Sequence, residues 1–503
     1  MPQRTAGILL PVFSLPSPYG VGSLGESARE FVRFLHRAGQ TWWQILPVGP
    51  VGSGDSPYQS ASAHAGNSAF IDLELLAEEG LLTAEELVSA APGDGKEVDY
   101  PAVNADRRRL LRLAFDRDGD RRERLAEFAA RLPWLKDYAV YQSVKDALGG
   151  LPWYEWPEAG LRRHEGLAIA RWREAHREGC DYQIWVQQVF SEQWNVLKSF
   201  ANGLGVKILG DLPIYVSLDS ADVWAEREQF LLDEEGRPAA VAGVPPDYFS
   251  AQGQLWGNPL YDWGRMRADG FGWWIRRVER AGALFDAIRI DHFRALASYW
   301  AVPAGAVSAR EGHWELGPGM ALVGVLTSWF PNLRFVAEDL GLLTPDVESL
   351  LAESGLPGMR VLEFAFSGPD NRYLPHNCVP GCVLYTGTHD NAPLAAWEPT
   401  KKELAYAKRY LGAESREDFR SRLLLAGQTS VANTFIAQMQ DYLGDPGRVN
   451  IPGTGTGNWR WRLAPGAASD TLADKIRQMT EDAGRFPSYL RLTGEKKRDM
   501  LRP

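Results

Sequence analysis

Between Ala287 and Asp291 the chain reads Ala-Ile-Arg-Ile-Asp, an alternation of apolar and charged side chains. Successive side chains on a strand point to opposite faces, so Ile288 and Ile290 share one face while Ala287, Arg289 and Asp291 share the other. An apolar face for helices to cover, backed by a face with an arginine and a carboxylate, describes a strand of an α/β barrel near its open mouth. An edge strand with a solvated ion pair is the plainer alternative. Taken alone, the stretch does not choose between them.

The chain's length permits the barrel. A (β/α)8 barrel takes about 250 residues, and the 503 residues here leave about as many again for insertions. With 45% hydrophobic and 23% charged residues the composition is that of a globular protein rather than a disordered one. The net charge of −10 argues against nucleic acid, whose binding relies on clustered Lys and Arg. No stretch approaches ~18 consecutive apolar residues, and Met1 to Gly7 has no leader-like pattern, so the expectations are no membrane partner and a cytoplasmic location. No obligate protein partner is evident. Cys180, Cys378 and Cys382 form no CxxC pair and are expected to be buried free thiols.

Read in order, Ala6–Leu10, a helix over Gly25–Ala38 and a strand over Thr41–Val48 open the chain in βαβ order. Further strands are expected at Gly205–Ile214, at Phe285–Asp291, at Leu333–Gly341, at Gly358–Phe366 and at Val383–Asn391, with an eighth at Gly447–Ile451. The whole, 1–503, reads as a single (β/α)8 TIM barrel, an α/β fold with large, mostly helical insertions. These are a helical insertion over 48–205, a loop and helix insertion over 213–284, and a helical insertion over 392–446 before the last strand.

Four strands end in acids: Asp211, Asp291, Glu338 with Asp339, and Asp390. Each alone could be a helix cap. A barrel would gather the strand ends around one pocket. Eight histidines without an HxH or HExxH pattern give little support to a metal site. Two carboxyls in different environments suit glycosidic chemistry, which needs a carboxylate nucleophile and a protonated acid of raised pKa. The 19 tryptophans fit too. Those beside polar residues, in Trp42-Trp43-Gln44, Trp153-Tyr154-Glu155-Trp156 and Gln254-Leu255-Trp256-Gly257-Asn258, suggest stacking platforms for sugar rings, although most tryptophans serve packing. Alternation leaves open whether Glu338 or Asp339 enters the pocket.

Ser56–Ser60, Gly210–Ile214, Arg289–Arg294, Ala337–Gly341 and Gly387–Asn391 resemble, in order, the signature segments of the amylomaltases. Those are 4-α-glucanotransferases related to the α-amylase clan. The similarity continues through Gly243–Phe249, Leu356–Met359 and Asn458–Arg462, so it spans nearly the whole chain. It implies transfer of an α-1,4-glucan segment to the 4-OH of glucose or a maltooligosaccharide, by a retaining double displacement without a metal or organic cofactor. Disproportionation is implied, with the balance between it and cyclisation left open. Carried onto this sequence, Asp291 is the nucleophile, Glu338 the general acid and base, and Asp390 the transition-state stabiliser. Arg289 would keep Asp291 ionised. Tyr58, Asp211, His292 and His389 would line the sugar site, and retention would place the Asp291 and Glu338 carboxyls roughly 5 to 5.5 Å apart. The stretch 244–261, with Tyr248, Phe249, Gln254, Trp256 and Asn258, would wall the acceptor side.

Where the family continues after Asn391 with an acid, two threonines and a glycine, this chain has Ala392-Pro393-Leu394-Ala395-Ala396. Ala61, His64 and Arg372 also differ from its pattern. These departures bear on acceptor preference and product size. An α-glucan hydrolase of the same clan is a second reading, and a glucan-binding protein without turnover, which the altered segment keeps open, a third.

Overall fold

A computed structural model describes residues 4–90, 95–119, 121–246, 251–341 and 343–487. Its centre is a closed barrel of eight parallel strands: β1 (Thr5–Leu9), β2 (Trp42–Gln44), β3 (Lys207–Leu212), β6 (Ala287–Ile290), β9 (Arg334–Ala337), β10 (Gly358–Val361), β11 (Cys382–Tyr385) and β12 (Thr434–Gln438). Each pairs with the next barrel strand in the chain, and β12 closes on β1. The remaining strands, β4 (Ala240–Val244), β5 (Gln254–Pro259), β7 (Ser298–Pro303) and β8 (His313–Leu316), form a separate antiparallel sheet in the order β5-β4-β7-β8.

The alternation on β6 sorts its side chains as the sequence implies. Ile288 and Ile290 pack outward into the main core, whereas Ala287 joins Leu9, Trp42, Leu209, Val336, Met359, Val361, Val383, Tyr385 and Ile436 inside the barrel. Bulky side chains fill this interior, so the barrel has a packed floor. Gly7 is required there: a Cβ on it would lie 2.5 Å from Trp42 Cβ and 2.6 Å from Trp42 O.

Three sequence readings change. The eighth strand is Thr434–Gln438, and Gly447–Ile451 is a loop. The insertion read as 392–446 therefore contains that strand, after helices Lys401–Leu411 and Arg416–Thr429. Thr-Phe-Ile-Ala-Gln is a wholly apolar run between polar ends, a pattern that a helix segment can share. Next, 213–284 is not only loop and helix, because β4 and β5 form a hairpin within it and pair with β7. Last, the strands are shorter than their apolar runs: β2 has three residues, and Gly358–Phe366 leaves the sheet after Val361 to form a 3-10 turn.

Between β2 and β3 the chain is mostly helical, ending in the 27-residue helix Arg177–Gly203 that packs on the barrel. Trp43, Trp153 and Trp156 are fully buried, so they pack the core rather than meet a sugar. All three cysteines are buried and free. Among the described residues no helix is long and apolar enough to cross a membrane.

Overpacking a filled interior costs about 1–3 kcal/mol. Gly7→Ala is therefore expected to lower stability by about that much, read as a lower denaturant midpoint at unchanged slope. An unchanged midpoint would show that the floor beside Trp42 has room to spare.

Candidate active site

The register of the strands builds the site. Asp211 on β3 is the direct neighbour of Arg289 on β6, both pointing into the barrel. On the other side of β6, Ile290 pairs with Ala337. One step further the ladder continues through hydrogen bonds from Asp291 N to Leu212 O (3.0 Å) and from Glu338 N to Ile290 O (3.1 Å). Asp291 and Glu338 thus stand side by side on adjacent strands, whose spacing is about 4.8 Å.

One guanidinium links the acids. Arg289 Nη1 donates to both oxygens of Asp211 (2.8 and 2.7 Å) and to Asp291 Oδ1 (2.8 Å), and Nη2 lies 4.0 Å from Glu338 Oε2. Three carboxyls therefore share one buried cation. Burial pushes the Glu338 carboxyl above the ordinary range; Arg289 opposes this, and the charge of Asp291 adds to it. Asp291 is also raised by burial, against the pull of Arg289 and with Asp211 and Asp390 adding to the rise. Arg289 was expected simply to keep Asp291 ionised; here it offsets a larger desolvation cost. Direct contact with Arg289 favours the charge on Asp291, which leaves Glu338 as the better holder of a proton.

Backbone geometry holds Glu338. His292, immediately after Asp291, has φ 48°, in the left-handed region that a non-glycine residue rarely adopts. This turn ends the strand, and the His292 N–H donates to Glu338 Oε2 at 2.7 Å while Leu340 N–H donates to Oε1 at 3.0 Å. Asp339 faces the other way. It is fully buried, accepts from Met359 N (2.6 Å) and Arg360 Nη1 (2.9 Å), and is no part of the pocket. The choice that alternation left open thus falls on Glu338.

Tyr58, His389 and Asp390 close the opposite rim. Tyr58 OH donates to Asp211 Oδ2 (2.7 Å) and lies 2.9 Å from His389 Nε2, its ring stacked on the imidazole. Because that hydroxyl proton is spent on Asp211, His389 carries its own proton on Nε2. Burial lowers the pKa of His389, and burial lowers that of His292 to about 3, so both imidazoles are neutral. Asp390 lies five residues beyond β11, with His389 Nε2 3.4 Å from Oδ1.

The residues expected to wall the site divide. Trp256 meets the His292 ring edge-on, with centroids 4.9 Å apart, and donates through Nε1 to Gln254 Oε1 (3.1 Å). Asn258 is buried and has both ends engaged, to Val216 O and from Gln59, so it fixes β5 rather than facing the pocket. Tyr248 and Phe249 lie outside the described residues. Sequence reading missed Trp459, whose ring packs on Tyr58 and His389, and Arg448 and Asn450, which touch Asp390. The last two lay in the stretch mistaken for a strand.

The positions that depart from the family's pattern lie off this cluster. His64 is buried 3.5 Å from Asp222 and stacked on Trp134; Arg372 bridges Glu348 and Asp339; Ala61 O accepts from Ala221 N. The unusual 392–396 segment is anchored at its centre, and Trp397 follows it. Leu394 is buried and its N–H donates to Asp441 Oδ1 (2.7 Å), while Trp397 stacks on Phe419. Among the described residues no group of three His, Cys, Asp or Glu is placed to hold a metal.

A parallel barrel with two carboxyls of unequal environment on adjacent strands at its mouth defines a class, the glycoside-cleaving barrel enzymes. The sequence model of the 4-alpha-glucanotransferase family matches residues 10–468, and the chain belongs to that family. It is 46% identical to the 4-alpha-glucanotransferase of Thermus thermophilus, over 96% of this chain and 99% of that one. It is 44% identical to that of Synechocystis sp., over 96% and 98%. The amylomaltase of Streptococcus agalactiae, solved in complex with acarbose, superposes with a TM-score of 0.93 at 36% identity, covering 96% of this chain and 100% of that one. The activity of this chain is accordingly glucan transfer.

A carboxyl raised in this way stays protonated where exposed glutamates are ionised. At about pH 6, well above the ordinary glutamate value, an infrared spectrum should show a protonated-carboxyl band that weakens in Glu338→Gln. Identical bands in the two proteins would place the proton elsewhere.

Proposed function

We propose that the chain cleaves and re-forms α-1,4-glucosidic bonds with retention of configuration, Asp291 acting as nucleophile and Glu338 as acid and base. The observation that carries this reading is the pair of carboxyls side by side just past the ends of β6 and β9, one in contact with Arg289 and the other held by backbone N–H groups. Side-by-side placement on adjacent strands supports the short separation of retaining enzymes, roughly 5 to 5.5 Å, which is too close for a water to stand between.

In the first step an Asp291 oxygen bonds to C1 of the donor glucose as the C1–O4 bond breaks, and the Glu338 proton passes to the departing O4. In the second, ionised Glu338 takes the proton of an acceptor 4-OH, whose oxygen bonds to C1 and releases Asp291. Protons and bonds balance over the cycle, and no net hydrolysis occurs. Asp390, half-exposed and held through Oδ1, takes the donor hydroxyls and the charge that develops on the ring. Tyr58, Asp211, His389 and His292 shape the donor pocket. Trp256 and Gln254 form part of the acceptor wall that keeps water from C1. Substrates in this reading are maltooligosaccharides and longer α-1,4-glucans.

Incubation with maltotriose alone should yield glucose together with maltopentaose and longer chains, with little gain in reducing ends. Shorter products only, with rising reducing ends, would make the protein a hydrolase. Asp291→Asn is expected to reduce turnover by at least about 10⁴-fold with the fold intact; an active variant would remove Asp291 from the role. Glu338→Gln should slow natural donors by about 10²- to 10⁴-fold but spare bond cleavage in donors whose leaving group needs no proton. Equal losses on both would count against the acid assignment. A chelator is expected to leave the rate unchanged.

A further inference from the structure

Asp390 is held differently from the other two acids. Asp291 and Glu338 continue barrel ladders, but β11 ends at Tyr385, and the Asp390 side chain is 43% exposed on the loop that follows. A half-exposed carboxylate on a loop loses rotamer freedom only if something outside the barrel fixes it. That support comes from the loop after β12. Asn450 Nδ2 donates to Asp390 Oδ1 at 2.6 Å, and Arg448 Nη2 donates to the Asp390 carbonyl at 2.7 Å. Asn450 N–H reaches His389 O (3.2 Å), so the loop grips two successive residues of the rim.

The loop is itself fixed. Arg448 Nε donates to Asn450 O (3.2 Å), Trp459 N to Val449 O (2.7 Å), Ile451 N to Asn458 Oδ1 (2.9 Å) and Gln440 Nε2 to Gly447 O (3.2 Å). At Gly447 the indole of Trp461 closes off the space, since a Cβ would fall 2.1 Å from its Cδ1. Four short ties over five residues make this a brace rather than a free loop. Its amide occupies Oδ1 of Asp390, near which His389 Nε2 also lies, and so leaves Oδ2 to meet a sugar hydroxyl.

We infer that Asn450 and Arg448 are positioning residues for Asp390, acting as a strap that sets the carboxylate's rotamer and keeps Oδ2 available. Neither needs to touch the reacting atoms. The inference rests on the role proposed for Asp390, so Asp390→Asn is measured first. If that variant keeps full transfer activity, the role of Asp390 falls; if it is inactive, the strap can be tested independently.

Loss of one hydrogen bond to a charged group corresponds to about a 10- to 100-fold change in rate. Asn450→Ala should lower kcat for maltotriose disproportionation by about that factor, and Arg448→Ala by less, because Arg448 holds only the backbone. Asn450→Asp has the same shape and sets a second carboxyl against Oδ1. Two acids sharing one site raise an apparent pKa. The acid limb of its kcat/KM profile should move up by about one pH unit or more, with activity partly recovered at higher pH. In Asn450→Ala, which removes one donor and adds no charge, that limb should move up by less than in Asn450→Asp. A general loosening of the loop would lower both variants without moving either limb. Full activity in Asn450→Ala, or an acid limb in Asn450→Asp that coincides with wild type, would overturn the inference. Thermal melts of all variants check folding, and should Asn450→Ala fail to fold, the isosteric Asn450→Asp profile decides alone.

Discussion

The site depends on the placement of a single guanidinium. Arg289 is buried between β3 and β9 with three acids around it, and two of them touch it directly. A cation so enclosed is stable only because the acids compensate its desolvation, and they in turn are tolerable in the barrel only because it is there. Charge balance then differentiates the acids. Asp211 takes the fullest contact, Asp291 takes one bond, and Glu338, the most distant, is left where a proton is easiest to keep. The environments that an acid and a nucleophile require thus follow from geometry around one residue.

Much of this arrangement was legible in the sequence. Asp211, Arg289, Asp291 and Glu338 occupy positions of the same parity on neighbouring strands, and the period of two shows that they share a face once the strands are aligned. Their proximity across strands is a matter of register, which one strand cannot report. The Glu338 and Asp339 pair marks that limit: β9 ends at Ala337, and the Met359 N–H and buried Arg360 guanidinium of the adjacent β10 draw Asp339 outward. His292 is another such case. Nothing in Asp-His-Phe announces a left-handed residue, yet that turn presents the N–H that holds Glu338.

The misplaced eighth strand has a different cause. Five of the seven strands that sequence reading found ended in charge or belonged to a marked motif, whereas Thr434–Gln438 is apolar and its mouth end is an amide rather than an acid. Gly447–Ile451 attracted notice with its valine and isoleucine, but three of its neighbours are Pro446, Pro452 and Gly453, residues that suit turns. Its hydrogen bonds go to the rim of the site instead of to a ladder.

The second sheet adds a consequence for how such an enzyme could diversify. β7 begins seven residues after Asp291, joined to it by the buried turn Phe293–Leu296, and the β4–β5 hairpin hangs from β7. The β4–β5 hairpin is therefore a graft onto the chain that leaves the barrel just past Asp291, with its root locked by that turn. On the roles proposed for these residues, changes within the hairpin would reshape the acceptor wall and leave the carboxyls in place, whereas changes at the root would shift both together.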